Sequence, residues 1–413
     1  MGERIWLKSY PAGMPAEIDA DRFRSVPDLL AFVFERFAER PAFNNLGHTL
    51  SYAALDRLSR DFAAYLQGLP GMAKGAMLTQ RNMLANLEQT GTWISTSFRE
   101  GAEIVITPLP MYHIFCLTST LAYMKWGSLL VIITNPRDLP EMVKELARWR
   151  FTVMTGVNTL FNGLLNTPGF DALDFSALKV VVGGGAAVQK PVAERWLQVT
   201  GRTITEAYGL TEASPGVCAN PLGMPWNGSI GLPFPSTELS IRDDDFRELP
   251  PWTGEGAIEA HTGEICARGP QVMRGYWNAP AETAKVLRDG WLRTGDVGHI
   301  DAAGFVTITD RKKDMILVSG FNVYPNEVES VVASHPGVLE CGVVGVPDAK
   351  TGEAVKVVIV RKDPDLTKEA VIDHCRTQLT GYKLPRQVEF RASLPKTPIG
   401  KVLRRELRDT SDT

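Results

Sequence analysis

Short runs of β-branched residues alternate with helical stretches through the middle of the chain. These runs cover Glu103 to Thr107, Leu129 to Thr134, Phe151 to Thr155 and Lys179 to Val182. Strands that alternate with helices are typical of crossover units, in which each helix returns the chain to start another parallel strand. We therefore expect an α/β fold whose large N-terminal domain contains one or more mostly parallel sheets.

Other elements are expected on both sides of this alternation. Amphipathic helices are predicted from about Pro27 to Ala38 and from Ser51 to Gln67. The Pro-, Gly- and Asp-rich texture from Gly231 to Ala267 is typical of a small β subdomain, with a long loop from 243 to 262. These features extend the N-terminal domain beyond its sheet.

The last hundred residues predict a separate small α+β domain. Its expected elements are a strand at 315–318, a helix from Pro325, strands at 341–346 and 354–361, and a helix at 367–379. Pro325 suits the first turn of a helix, where its missing N–H costs nothing. We place the boundary so that the domains cover 1–310 and 311–413.

Composition restricts the partners and the compartment. The 413 residues are 44% hydrophobic and carry a net charge of −3, which gives no reason to expect nucleic acid as a partner. Residues from Arg311 onward hold 17 Lys and Arg against 14 Asp and Glu, a bias that fits either ordinary surface variation or a polyanionic ligand. Five scattered cysteines indicate a reducing, cytoplasmic compartment. No apolar run approaches the roughly 18 residues of a membrane span, so any membrane contact is expected to be peripheral.

Two blocks in the first domain have the composition of a nucleotide site. Val181 to Ala187 runs from a strand into three glycines, which permit a ligand to approach the backbone, although a plain tight turn has the same form. Tyr208 to Glu212 combines an aromatic ring, a glycine, a hydroxyl and a carboxylate. Taken alone, its tyrosine suits a core position and its carboxylate a surface one.

Further blocks follow at and beyond the domain boundary. Gly290 to Asp296 ends in a carboxylate able to accept several hydrogen bonds, and Asp310 to Asp314 is a basic linker. Ser319 to Glu327 and the Pro/Gly-rich Leu394 to Lys401 come after it. Each block taken alone has an ordinary structural explanation. Their order along one chain is what indicates a function.

In this order the blocks resemble the adenylate-forming enzymes, specifically the long-chain fatty acid–CoA ligases. The resemblance implies ATP, Mg²⁺ and CoA as co-reactants and a fatty acid as substrate. In the first step the carboxylate attacks the α-phosphorus of ATP and pyrophosphate leaves. In the second step the CoA thiol attacks the acyl adenylate and AMP leaves.

The resemblance also implies residues that bind the adenine. Gly184, Gly185 and Ala186 match the loop that lies along the base. Tyr208 would stack on the adenine, and Gly209 would allow the backbone to approach it.

Other matched positions concern the phosphates and the ribose. Thr211 would hydrogen-bond near the phosphates or the acyl carboxylate, and Glu212 would hold Mg²⁺. Asp296 and Arg311 would contact the ribose. Lys401 matches the lysine that bridges the carboxylate and the α-phosphate in the first step.

The remaining matches concern domain movement and the acyl group. Lys313 matches the hinge about which the small domain swings, and Gly320 matches the position that lines the CoA pantetheine tunnel after the swing. His113, in Pro108 to Phe115, would lie near the acyl carboxylate, although a histidine beside aromatic residues also suits a core.

One block of the family pattern is missing from this sequence. The Ser/Thr/Gly-rich loop that should hold the ATP phosphates is reduced to its trailing Lys74-Gly75. An internal deletion near 68–75 would explain this, because the family sequences expected before and after the missing block share an Ala-Lys-Gly. We expect such a deletion to leave strands of the sheet without neighbours. Adenylation would then be impaired. A non-catalytic remnant that binds AMP, acyl adenylate or CoA, and a ligase that passes its acyl group to a carrier protein, are the alternatives.

Overall fold

The computed structural model describes residues 4–66, 75–311, 313–397 and 400–408, with the side chains of 60–66 excepted. Its first sheet, as far as the described residues show, has nine strands in the order β2-β1-β4-β3-β5-β6-β7-β8-β9. The strands are β1 (Pro41–Asn45), β2 (His48–Ser51), β3 (Ile104–Thr107), β4 (Leu129–Ile132), β5 (Val153–Gly156), β6 (Val180–Gly183), β7 (Ile204–Gly209), β8 (Gly216–Ala219) and β9 (Leu232–Pro233).

The six strands from β1 to β7 in this order pair in parallel, and β2, β8 and β9 pair antiparallel at the two ends. Helices cover the sheet, which confirms the predicted α/β class. They are α1 (Val26–Arg36), α2 (Tyr52–Leu66), α3 (Gln80–Ile94), α4 (Ile114–Lys125), α5 (Leu139–Leu146), α6 (Asn158–Leu165) and α7 (Lys190–Thr200).

Successive residues of the central strands point into two different cores. Val105 and Val153 pack with α1, α3 and α4 on one face of the sheet. Their neighbours Ile106 and Met154 pack with α5, α6 and α7 on the other face. Because side chains alternate along a strand, a sheet buried on both faces needs the continuous apolar runs that the sequence shows.

The expectation that strands lack neighbours is wrong for the described sheet. β1 pairs in parallel with β4, through Phe43 opposite Leu130 and Asn44 opposite Val131. The hairpin of β1 and β2 thus occupies the edge that β4 would otherwise expose. Each strand between β2 and β9 has two hydrogen-bonded neighbours.

The predicted β subdomain extends beyond the expected 231–267, because its antiparallel sheet has five strands among the described residues and ends with a strand at Val306–Arg311. Its elements are β10 (Glu238–Arg242), β11 (Gly263–Arg268), α8 (Pro280–Val286), β12 (Leu287–Arg288), β13 (Trp291–Ile300) and β14 (Val306–Arg311). Ile241, Ile265 and Leu292 contribute to its core. The predicted long loop before β11 contains a 3-10 turn at Ile258–His261.

The C-terminal part is the expected small α+β unit. Its elements are β15 (Ile316–Val318), β16 (Phe321–Val323), α9 (Pro325–Ala333), β17 (Val338–Asp348), β18 (Gly352–Arg361), α10 (Lys368–Arg376) and β19 (Gln387–Phe390). The strands form one sheet over a valine-rich core. A division at residues 310 and 311 remains our proposal for the domain boundary. No helix in the described ranges is long and apolar enough to cross a membrane.

Candidate active site

A cavity of about 810 Å³ lies where β6 and β7 end, beneath β13, β14 and the loop that carries Lys401. The carboxyl ends of parallel strands are the usual place for a ligand in an open α/β sheet. Most of the residues singled out in the sequence line this cavity. They are His113, Gly184, Gly185, Tyr208, Gly209, Thr211, Glu212, Asp296, Arg311, Lys313 and Lys401.

Three of the predicted residues form one array, joined by a hydrogen bond and an ion pair. The hydroxyl of Tyr208 donates to Oδ2 of Asp296 over 2.6 Å, and Nε of Arg311 lies 3.1 Å from Oδ1 of the same carboxylate. Asp296 and Arg311 face each other across β13 and β14, so the pairing of two strands sets their separation. Burial, with the Asp296 charge beside it, raises the pKa of Tyr208 well above 10, so the phenol keeps its proton.

A second ion pair, which the sequence did not reveal, fixes the segment that leads to Asp296. Oε2 of Glu264 accepts from Nε and Nη2 of Arg293 over 3.0 and 2.6 Å. Oε1 of Glu264 accepts the backbone N–H of Gly295 over 3.1 Å. Nothing in the local sequence separates this buried glutamate from a surface one, because its partner comes from a neighbouring strand.

Glu212 lies at another part of the cavity, next to the segment that follows Lys74. The hydroxyl of Tyr276 donates to Oε1 of Glu212 over 2.6 Å. Ala76 forms an antiparallel bridge with Tyr276, and the N–H of Trp277 donates to the carbonyl of Gly75 over 2.9 Å. Gly75 and Ala76 therefore lie next to the tyrosine that contacts the predicted magnesium ligand.

Gly209 shows why the backbone can come close at this site. A Cβ added to Gly209 would lie 2.2 Å from the carbonyl oxygen of Pro215, which no side chain could tolerate. A glycine is therefore required at position 209 by the nearby Pro215 backbone, and the same residue also lines the cavity.

His113 has a structural partner and also lines the cavity. It caps α4, where its Nδ1 accepts the N–H of Phe115 over 3.3 Å. Burial lowers the pKa of His113, which favours the neutral ring. Because Nδ1 of the neutral ring accepts a hydrogen bond, Nε2 carries the proton and can donate to an oxyanion. Both interpretations from the sequence, a structural histidine and a substrate contact, are compatible with this position.

Lys401 enters the cavity from the C-terminal part of the chain. The carbonyl of Gly400 accepts from Oγ1 of Thr159 on α6 over 3.0 Å, which attaches this loop to the large domain. Burial and the nearby Arg311 guanidinium lower the pKa of Lys401, and the Asp296 carboxylate opposes them. The structure thus brings together a lysine and a carboxylate that stand far apart in the sequence.

One part of the cavity lining, the apolar branch, consists of apolar residues from α3, from α4 and from the segment that follows β8. The indole N–H of Trp93 donates to the carbonyl of Asn220 over 3.0 Å, and its ring packs edge-on against Phe234 at 5.3 Å. Ile94, Tyr123 and Leu222 also line the branch. Sequence reasoning did not find these wall residues, because an apolar residue facing a cavity has the same local pattern as one facing the core.

Two of the predicted residues that the structure describes are not among those that line the cavity. Ala186 lies just beyond Gly185, outside the lining. Gly320 is exposed in the turn between β15 and β16, where its φ of +85° favours glycine. Lys74 lies outside the described residues.

The family model described as "AMP-binding enzyme" matches residues 68–277, which is more than half of the chain. The chain belongs to the AMP-binding enzyme family. A second family model, described as "AMP-binding enzyme C-terminal domain", matches residues 327–401. The family predicted from the ordered blocks is confirmed.

This AMP-binding enzyme is 52% identical over 388 residues to the long-chain-fatty-acid–CoA ligase of Escherichia coli O6:H1. The alignment covers 93% of this chain and 66% of that ligase, so the chain spans slightly less than two thirds of its relative's length.

Solved structures show the same fold. ATP-bound MatB from Rhodopseudomonas palustris matches with a TM-score of 0.72 and 32% identity, over 82% of this chain and 65% of that one. The anthranilate CoA ligase AuaEII in complex with anthranoyl-AMP matches with a TM-score of 0.81 over 95% of this chain and 98% of that one. Its identity of 19% makes it a likeness in fold alone.

Proposed function

We propose that this AMP-binding enzyme is a long-chain fatty acid–CoA ligase that forms an acyl adenylate from ATP and transfers the acyl group to CoA. The observation that carries the proposal is a single cavity that holds the Asp296 array, the Lys401 ammonium and an apolar branch. The array suits the nucleoside of ATP, the ammonium suits the point where the carboxylate meets the α-phosphate, and the apolar branch suits an alkyl chain. The 52% identity to a long-chain-fatty-acid–CoA ligase supports the choice of acid.

In the proposed first step a fatty-acid carboxylate oxygen forms a bond to the α-phosphorus while the bond to the pyrophosphate oxygen breaks. Lys401 places positive charge where the carboxylate and the α-phosphate meet, and charge fixed in advance stabilises the transition state. The N–H of His113 and the hydroxyl of Thr211 supply further donors. Asp296 and Arg311 hold the ribose, which keeps the phosphorus in position.

In the proposed second step the CoA sulfur bonds to the acyl carbon, the bond from that carbon to the AMP oxygen breaks, and the thiol proton passes to solvent water. For this step the CoA thiol must reach the space that Lys401 occupies in the first step. We propose that rotation about Lys313 withdraws Lys401 and brings Gly320 to the path of the pantetheine arm. The exposed position of Gly320 in the turn after β15 leaves it free for such a role.

Mg²⁺ is the metal that the family implies, and the residues present suit an ion that takes few of its ligands from the protein. Among the described residues, no group of three or more His, Cys, Asp and Glu side chains could hold a metal ion. Mg²⁺ commonly takes only one or two protein carboxylates and fills its shell with water and phosphate oxygens. Glu212, which accepts the Tyr276 hydroxyl with Oε1, would be the protein ligand. The ion would supply neutralising charge to the phosphates.

We further propose that the first step is slow in this chain. The sequence retains only Lys74-Gly75 of the phosphate loop. Loss of even one preorganised donor to a developing charge costs ~10²-fold or more in rate. The internal deletion that we infer fits the chain's coverage of 66% of the Escherichia coli ligase.

The decisive experiment measures ATP-dependent pyrophosphate release with a long-chain fatty acid, for the unmodified protein and for Lys401→Ala. Lys368→Ala, which removes an exposed lysine of α10, is the matched control. We expect release that Lys368→Ala preserves and Lys401→Ala reduces by ~10²-fold or more. Lys401→Ala should still form the thioester from supplied acyl adenylate and CoA.

Other outcomes separate the alternatives. Folded protein that binds AMP or acyl adenylate but releases no pyrophosphate would be a non-catalytic remnant. Pyrophosphate release without CoA-dependent release of AMP would indicate transfer to a carrier protein. We also propose a cytoplasmic location with peripheral membrane contact. The five cysteines, all in the described part of the chain, are buried and form no disulfide there, which supports a reducing compartment.

A further inference from the structure

Asp310 is a buried carboxylate at the end of β14, three residues before the proposed hinge at Lys313. Its exposed fraction is 1%, and both of its oxygens accept hydrogen bonds. Oδ1 accepts from the N–H of Arg311 over 2.7 Å and from Nη1 of Arg404 over 2.8 Å. Oδ2 accepts the N–H of Asn326, in the first turn of α9, over 2.8 Å.

The contacts of Asp310 join two different parts of the chain. Val297 lies opposite Asp310 in the ladder of β13 and β14, so the carboxylate belongs to the β subdomain of the large domain. Asn326 and Arg404 both follow the hinge. Two of the three hydrogen bonds to Asp310 therefore cross from the C-terminal unit to the N-terminal one.

Arg404 is anchored within the C-terminal unit independently of Asp310. Its Nε and Nη2 donate to Oε1 and Oε2 of Glu329 over 3.0 and 2.8 Å. Asp314 lies 3.8 Å from Nη1. Glu329 also accepts the N–H of Val343 over 2.9 Å, which ties the pair to β17. Arg404 can therefore leave Asp310 and still have carboxylate partners.

Arg404 also stands close to the catalytic lysine in sequence. It begins the 3-10 turn Arg404–Leu407, three residues after Lys401. The position of this turn is therefore coupled to the placement of the Lys401 ammonium in the cavity. On the other side of Lys401, the hydroxyl of Thr159 donates to the carbonyl of Gly400, a hydrogen bond between neutral groups.

We propose that Asp310 is a positioning residue that latches the C-terminal unit in the arrangement with Lys401 in the cavity. This inference rests on the two-step function proposed above. A rotation about Lys313 must break the bonds from Asn326 and Arg404 to Asp310, whereas the bond from Arg404 to Glu329 travels with the moving unit. The latch favours the adenylating arrangement and must open for thioester formation.

The test uses Asp310→Asn, which preserves shape and removes the charge. Asparagine has one oxygen in place of two, so its NH₂ group would face either Asn326 or Arg404, and at least one of the two crossing bonds is lost. Bonds to charged groups contribute enough for a shift of ~10-fold or more in the balance between arrangements. The matched control is Asp373→Asn, which breaks the exposed pair of Asp373 with Arg376, 2.6 Å apart, on α10.

Each half-reaction is measured separately. We expect Asp310→Asn to slow pyrophosphate release by up to ~10-fold and to leave thioester formation from supplied acyl adenylate and CoA undiminished. Asp373→Asn should change neither rate. Equal losses in both half-reactions, or no loss in the first, would overturn the latch, because a purely structural residue affects both steps alike.

A distance measurement tests the latch even if the chain has no ligase activity. Spin labels are attached at Arg137→Cys in the large domain and Lys350→Cys in the small one, both exposed positions. We expect Asp310→Asn to transfer population from the main distance peak to a second one. An unchanged distribution would refute the latch, while a shift without pyrophosphate release would support it and reject the proposed function.

Discussion

Glu206 is a buried carboxylate whose charge should destabilise the folded protein at neutral pH. It lies on β7 between two residues that line the cavity, and its exposed fraction is 7%. Its Oε1 accepts the N–H of Val188 over 2.9 Å, which attaches the end of the glycine loop to β7. Burial raises the pKa of Glu206 from 4.5 to about 7, although the bond from Val188 opposes this. The substitution Glu206→Gln removes the charge and retains an oxygen for Val188.

The magnitude follows from the two pKa values. An acid with a raised pKa in the folded state contributes full stability below its unfolded pKa and loses it as pH rises towards the folded pKa. Between 4.5 and about 7 each pH unit costs about 1.4 kcal/mol. Charged Glu206 should therefore reduce the free energy of unfolding by about 3 kcal/mol at pH 8, but by only about 1 kcal/mol at pH 5.

The assay compares urea unfolding of the unmodified protein and Glu206→Gln at pH 5 and pH 8. We expect the variant to gain about 3 kcal/mol at pH 8 and about 1 kcal/mol at pH 5. Glu194→Gln, on the exposed side of α7, is the control and should leave the free energy of unfolding nearly unchanged. An equal gain at both pH values, or a loss at pH 8, would refute the argument from a buried charge.

Two further predictions concern the cavity. Tyr208→Phe retains the ring but removes the 2.6 Å bond to Asp296, so steady-state kinetics should show KM for ATP raised by ~5- to 10-fold and kcat little changed. A change confined to kcat would contradict a binding role. Because burial and Arg311 lower the pKa of Lys401, its ammonium loses its proton below pH 10.5. Adenylation rates should therefore fall with rising pH before 10.5, while thioester formation from supplied acyl adenylate should lack this decline.

The sequence by itself determined the fold class and most of the parts of the candidate site. The strands at Ile104–Thr107 and Val180–Gly183 lie within one or two residues of their predicted bounds. Apolar runs and helical periods are local signals, and burial on both faces of a parallel sheet requires them. The blocks at Tyr208 and Asp296 have ordinary structural explanations when each is taken alone, and their predicted roles followed from the resemblance carried by the order of the blocks along the chain.

Only the tertiary structure decided which of these parts meet and what supports them. The place of β1 beside β4 depends on the pairing of distant strands, so the expected exposed edges did not follow. Glu264 and Asp310 are buried carboxylates whose arginine partners, Arg293 and Arg404, lie on other elements. A buried charge needs a partner at hydrogen-bond distance. Distance in space is a property of the folded chain, and a one-dimensional pattern does not contain it.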